Sequence, residues 1–86
     1  MFEWDGKKNK SNTEKHGLAF DLIEEFDFSI ALTKEDTRQS YDERRFNSLG
    51  YIREDLVSVT WTPRGKKIRI ISLRRARAKE RKHYEE

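Results

Sequence analysis

The 86-residue chain contains no cysteine, which excludes a disulfide framework and any thiolate metal site. It has two histidines and neither a CxxC nor an HExxH pattern, so the usual ligands of a transition-metal site are missing and no cofactor is expected. No apolar run approaches a membrane span or a signal-peptide core. The expectation is a cytoplasmic protein without a membrane partner. There is no internal repeat. Hydrophobic residues make up only 34% of the chain, at the low end for a globular protein. The length fits one domain, residues 1–86, with a thin core that a partner could complete.

Charge is abundant instead. Charged residues reach 41%, but five Phe, three Tyr and two Trp argue against disorder. The charge is unevenly spread. Residues 64–82 hold ten Lys or Arg and a single acid, Glu80. Residues 1–63 hold nine basic and thirteen acidic residues. The net +3 therefore conceals a segment of +9. A concentrated cationic surface on a small domain faces polyanions, and phosphate is the commonest of them.

The pattern of residues sets out the elements. Residues 1–4 read as a short edge strand with Phe2 and Trp4 on one face. Asp5 suits an N-cap and Gly17 a C-terminal cap, which brackets a helix over 6–16. That helix has no apolar residue, so its periodicity gives no docking face. Ala19, Leu22, Ile23 and Phe26 then form a helical apolar stripe. "SIALT" is strand-like, and 34–43 is a polar loop. "RRFNSLGYI" and the alternating "DLVSVTWT" are strands. "PRG" is a turn, followed by the strand "KKIRIISLR" as hairpin partner. "RAKERKHYEE" closes as a short helix. The fold class is α+β: an antiparallel sheet of about four to five strands, two N-terminal helices and a short C-terminal helix.

"FEWD", "KHG", "RRFNSLG", "IRIISLRRA" and "KERKHYEE", in this order and spacing, resemble the BrnT family of type II toxins from Phe2 to Glu86. The resemblance implies a RelE-like fold, ribonuclease-type toxicity that inhibits translation, and neutralisation by a BrnA antitoxin. It also implies a ribbon-helix-helix domain on the antitoxin, which alone brings the complex to operator DNA. The chain departs from the family pattern at Gly6, often Pro, and at Ala19 and Arg77, where Ser or Thr usually caps a helix. Each lost cap costs about 1 kcal/mol.

Metal-independent RNA cleavage needs a base for the 2′-hydroxyl, an acid for the 5′-oxygen and cations for the phosphorane. Arg suits the last task because its fork matches two phosphate oxygens. By alternation, Ile68, Ile70, Ser72 and Arg74 share one face of their strand. Arg69, Ile71, Leu73 and Arg75 share the other. Periodicity does not choose between Arg69 and Arg74; the family pattern favours Arg74. Arg45 reaches the same phosphate if its strand is adjacent. His16 titrates near neutrality and is either the acid or base, or a helix-capping imidazole held positive by the dipole. Glu80 is either a general base or a solvated helix-face partner. The catalytic candidates are thus His16, Arg45, Arg74 and Glu80. Arg69, Arg75, Lys79 and Arg81 are RNA-binding candidates. Trp4 and Trp61 can stack bases but fit packing better in so small a core. Two other readings stay open: a non-catalytic nucleic-acid-binding module, and a domain whose basic face docks an acidic protein.

Overall fold

In a computed structural model, the structure describes residues 1–37 and 43–86. Five strands form one mixed sheet in the order β1-β5-β4-β3-β2. They are β1 (Phe2–Trp4), β2 (Leu32–Glu35), β3 (Phe46–Ile52), β4 (Asp55–Arg64) and β5 (Lys67–Arg75). Helices α1 (Gly6–His16) and α2 (Ala78–Glu85) complete the fold, with a 3-10 helix at Phe20–Glu25. Of the polar loop expected over 34–43, residues 38–42 lie outside the described residues.

Two expectations are corrected. The sheet is not wholly antiparallel, because β1 pairs parallel to β5 through Phe2↔Ile68 and Trp4↔Ile70. This pairing joins the two ends of the chain, and local alternation carries no sign of it. The second helix is also not an α-helix. Its bonds run from Leu22 N to Ala19 O (3.1 Å) and from Phe26 N to Ile23 O (3.0 Å). A 3-10 helix repeats every three residues, so Phe20, Ile23 and Phe26 line up and are buried. The 3.6-residue stripe through Ala19 and Leu22 is not the one used. Smaller shifts occur elsewhere. The "SIALT" strand starts only at Leu32. Pro63 lies within β4, and the turn falls after Arg64, where Gly65 has φ 59°. Proline is tolerated there because β3 pairs with β4 only as far as Trp61, so its missing N–H has no partner to lose.

The core lies between α1 with the 3-10 helix and one face of the sheet. Leu18, Phe20, Ile23 and Phe26 meet Ile52, Val57, Val59, Ile70 and Leu73. Gly50 is required by close approach: a Cβ there would lie 2.9 Å from the Phe26 ring. Both tryptophans are packing residues. Trp4 meets Phe20 edge-on, and Trp61 stacks on Phe46 and donates to Ser48 Oγ at 2.8 Å.

The polar helix α1 is docked by amides rather than by apolar side chains. Buried Asn12 donates through Nδ2 to Leu73 O (2.6 Å) and Leu18 O (2.9 Å), and its Oδ1 accepts from Leu73 N (3.1 Å). β1 stops opposite Ile70, so the outer edge of β5 is unpaired beyond it. Asn12 takes the place of the missing strand there. Asn9 Oδ1 accepts from Phe20 N (2.8 Å), the capping contact that Ala19 cannot make.

Candidate functional site

The site depends on a bulge. Thr60 pairs with Ser72 while Trp61 pairs with Ile70, so Ile71 is an extra residue in β5. The extra residue reverses the alternation midway. Ile70 and Leu73, expected on opposite faces, both enter the core. Arg69 and Arg74, also expected on opposite faces, both fall on the face away from it. Arg69 lies opposite Glu3 and Thr62, and Arg74 lies opposite Ser58.

That outer face is partly covered by α2. The Tyr84 ring meets Tyr51 edge-on at 5.6 Å, above the face that carries Leu49 and Leu56. Beside α2 lies a groove of about 560 Å³ lined by Asn47, Thr60, Ser72, Arg74, Arg77 and Glu80. Its far wall is the end of β2 and the two residues after it, with Lys34, Glu35, Asp36 and Thr37, so carboxylates and cations are balanced around it. Arg74 is held at both terminal nitrogens: Nη1 donates to Glu80 Oε1 (2.7 Å) and Nη2 to Oε2 (2.9 Å). Glu80 Oε1 also accepts from Arg77 N at 2.8 Å. Arginine has no acceptor, so only this reciprocal half of a capping box is chemically possible at Arg77. The cap expected to be lost is therefore supplied by Glu80. The Arg74 hydrogen bonds, the Arg77 amide and nearby positive charge hold the Glu80 carboxyl below its usual range. Glu80 is thus ionised while it holds Arg74 at both terminal nitrogens.

His16 ends α1, next to the C-terminal end of β5. Its imidazole is half-buried, and its pKa is lowered first by desolvation, then by the charges of Lys15, Arg74 and Arg77. It is therefore not held positive by the helix dipole, and a neutral imidazole is favoured near neutrality. The helix's C-terminal carbonyl is capped from elsewhere, since Arg75 Nη1 donates to His16 O at 3.0 Å.

The other candidates are dispersed. Arg45 precedes β3, and β4 lies between β3 and β5. Two strand spacings are about 10 Å, so Arg45 and Arg74 are not on adjacent strands. Arg45 Nε stands 3.8 Å from Glu43. Arg69 bonds Glu3 at 2.8 Å. Arg75 is occupied at the end of α1, with Asp55 3.8 Å away. Lys79 lies on α2, and Arg81 stands 4.0 Å from Glu85 on its exposed side. Arg77, Ser72, Thr60 and Asn47 also line the groove, and none of them is among the sequence-derived candidates. The alternation of β4 puts Thr60 on the outer face, and the β3–β4–β5 register joins it with Asn47 and Ser72 in one polar row.

The arrangement is that of a small α+β protein with a groove on its outer sheet face where Arg74 and Arg77 stand beside Glu80, and His16 is not among the residues that line it. The family model for BrnT, the ribonuclease toxin of type II toxin-antitoxin systems, matches residues 4–80. The chain belongs to the BrnT family. Membership implies an antitoxin partner. Comparison with curated proteins gives no match. Among the described residues, no helix is long and apolar enough to cross a membrane.

Proposed function

We propose that the chain is a translation-inhibiting toxin that cleaves RNA, without a metal, in the groove at the end of β5. The observation that carries this reading is the Arg74 guanidinium, fixed at both terminal nitrogens by Glu80 and flanked by Arg77 in a groove floored by hydroxyl and amide groups. Arg74 and Arg77 hold the scissile phosphate. His16, neutral at the start, takes the 2′-hydroxyl proton as the 2′-oxygen attacks phosphorus. The 5′-oxygen then leaves and receives that proton back, giving a 2′,3′-cyclic phosphate and a 5′-hydroxyl. The growing negative charge on phosphorus stabilises the imidazolium that two arginines otherwise disfavour. Glu80 positions Arg74. Arg45 and Arg69 contact flanking phosphates, while Arg75, Lys79 and Arg81 add attraction.

In this reading the layout is RelE-like and the protein acts in the cytoplasm. The antitoxin is BrnA-like, with a ribbon-helix-helix domain that carries the complex to operator DNA. The test is expression of the chain alone in a bacterium, alongside Arg74→Ala and His16→Ala. Growth arrest by the parent, relieved in both variants, is the expected result. A harmless parent removes the toxin reading. Arrest by all three removes the site assignment and leaves the class.

A further inference from the structure

The groove does not end at Arg74. It continues past Glu80 and Asn47 into a second cavity of about 380 Å³ between α2 and the β2–β3 edge. The two cavities share Lys34, Asn47 and Glu80. The second differs in character. Leu32 and Leu49 give it apolar walls, and Lys34, Lys79 and His83 stand at its rim. Its size is at the lower end of the roughly 300–1,000 Å³ typical of small-molecule sites, too small for a long chain segment.

We propose that this cavity is a nucleobase pocket that selects the base beside the cut, a proposal that rests on RNA occupying the Arg74 groove. Single-stranded RNA is read by seating an unstacked base against a hydrophobic or aromatic surface and hydrogen-bonding its edge. Leu32 and Leu49 supply the hydrophobic surface. Asn47 supplies the edge reader. One of its amide hydrogens is used on Ser58 Oγ at 2.6 Å, which fixes the side chain, while an amide has a second hydrogen and a carbonyl oxygen to offer. His83 at the rim adds an aromatic ring and a polar edge. Continuity with the part of the groove that carries Arg74 and Arg77 favours a nucleotide as the occupant: a strand whose phosphate lies on Arg74 passes Asn47 and Glu80 on entering the cavity. The rim cations Lys34 and Lys79 suit the next phosphate.

The test is titration of the folded chain with the four nucleoside 3′-monophosphates and, separately, with inorganic phosphate, following backbone amide resonances. Phosphate alone is expected to move the signals of Arg74 and Arg77 and leave Leu32 and Leu49 in place. One nucleotide is expected to move all four and to bind about tenfold or more tightly than the weakest. Leu32→Ala with His83→Ala, both at exposed positions, is expected to cut that discrimination at least about fivefold while the phosphate response persists. Equal affinity for all four nucleotides, or identical signals moved by phosphate and nucleotides, overturns the pocket while sparing the Arg74 site. Phosphate that leaves Arg74 and Arg77 unmoved overturns the RNA groove and the pocket with it. Sequencing of cleavage ends gives a second readout: the double variant loses base preference at one position next to the cut. An unchanged preference overturns the proposal.

Discussion

Asn12 joins α1 to the sheet with two hydrogen bonds to Leu73 and to the following loop with a third to Leu18, all from one buried amide. Replacing it by alanine leaves the Leu73 N–H and two carbonyls without partners. Each costs about 1–3 kcal/mol, softened where water enters, so Asn12→Ala is expected to lose about 2–4 kcal/mol in denaturant unfolding. That is a large share of a marginal stability of roughly 0.05–0.15 kcal/mol per residue. Nothing in the sequence singled out Asn12, because periodicity follows apolar residues and this contact is polar. His16 carries a pH signature. Its folded pKa is below the ordinary 6.5, so the unfolded chain takes up the proton first as pH falls. Stability is therefore expected to decline as pH drops below 6.5 and to level off under the folded value. His16→Ala should flatten that part of the urea-midpoint profile, and an undiminished slope would contradict the assignment.

The elements show where sequence patterns were legible and where they were not. The ends of α1 were readable because Asp5 and Gly17 have the right cap chemistry: Asp5 Oδ1 accepts from Lys7 N at 2.8 Å, and Gly17 has φ 72°. The β4–β5 hairpin is readable from the turn signal in "PRG" between two strand-like segments. The bulge at Ile71 was not, since an extra residue leaves no mark in a strand rich in both Ile and Arg. It decides which arginines face the groove. Gly50 belongs to this scale: Gly50→Ala pushes Phe26 out of its packing and is expected to cost about 1–3 kcal/mol. α2 is held by Glu80 at its start and Tyr84 near its end. Glu80→Gln removes the charge from the cap and the Arg74 pair, so α2 should loosen by about 1–2 kcal/mol, seen as faster amide exchange in α2 alone. The Glu80 pKa is depressed, so its contribution is present above 4.5 and lost as pH falls through the lower folded value.

At the scale of the molecule, the strongly basic 64–82 segment divides its tasks. Its strand half builds the groove around Arg74, and one of its arginines caps α1. Its helix half shields the outer sheet face and supplies the acid that orients Arg74. Charge alone pointed to phosphate; the fold separates Arg45 from Arg74 and brings in Arg77, which no linear pattern could show. RNA cleavage at Arg74 without a metal is the proposal on which the other roles depend. The direct measurement is cleavage of a single-stranded RNA by the purified chain in EDTA, for the parent, Arg74→Ala and Lys66→Ala. Cleavage by the parent is expected, with ends bearing a cyclic phosphate, a loss of about 10²–10³ in rate for Arg74→Ala, and little change for Lys66→Ala. Full activity in Arg74→Ala, or cleavage that EDTA abolishes, would contradict the proposal.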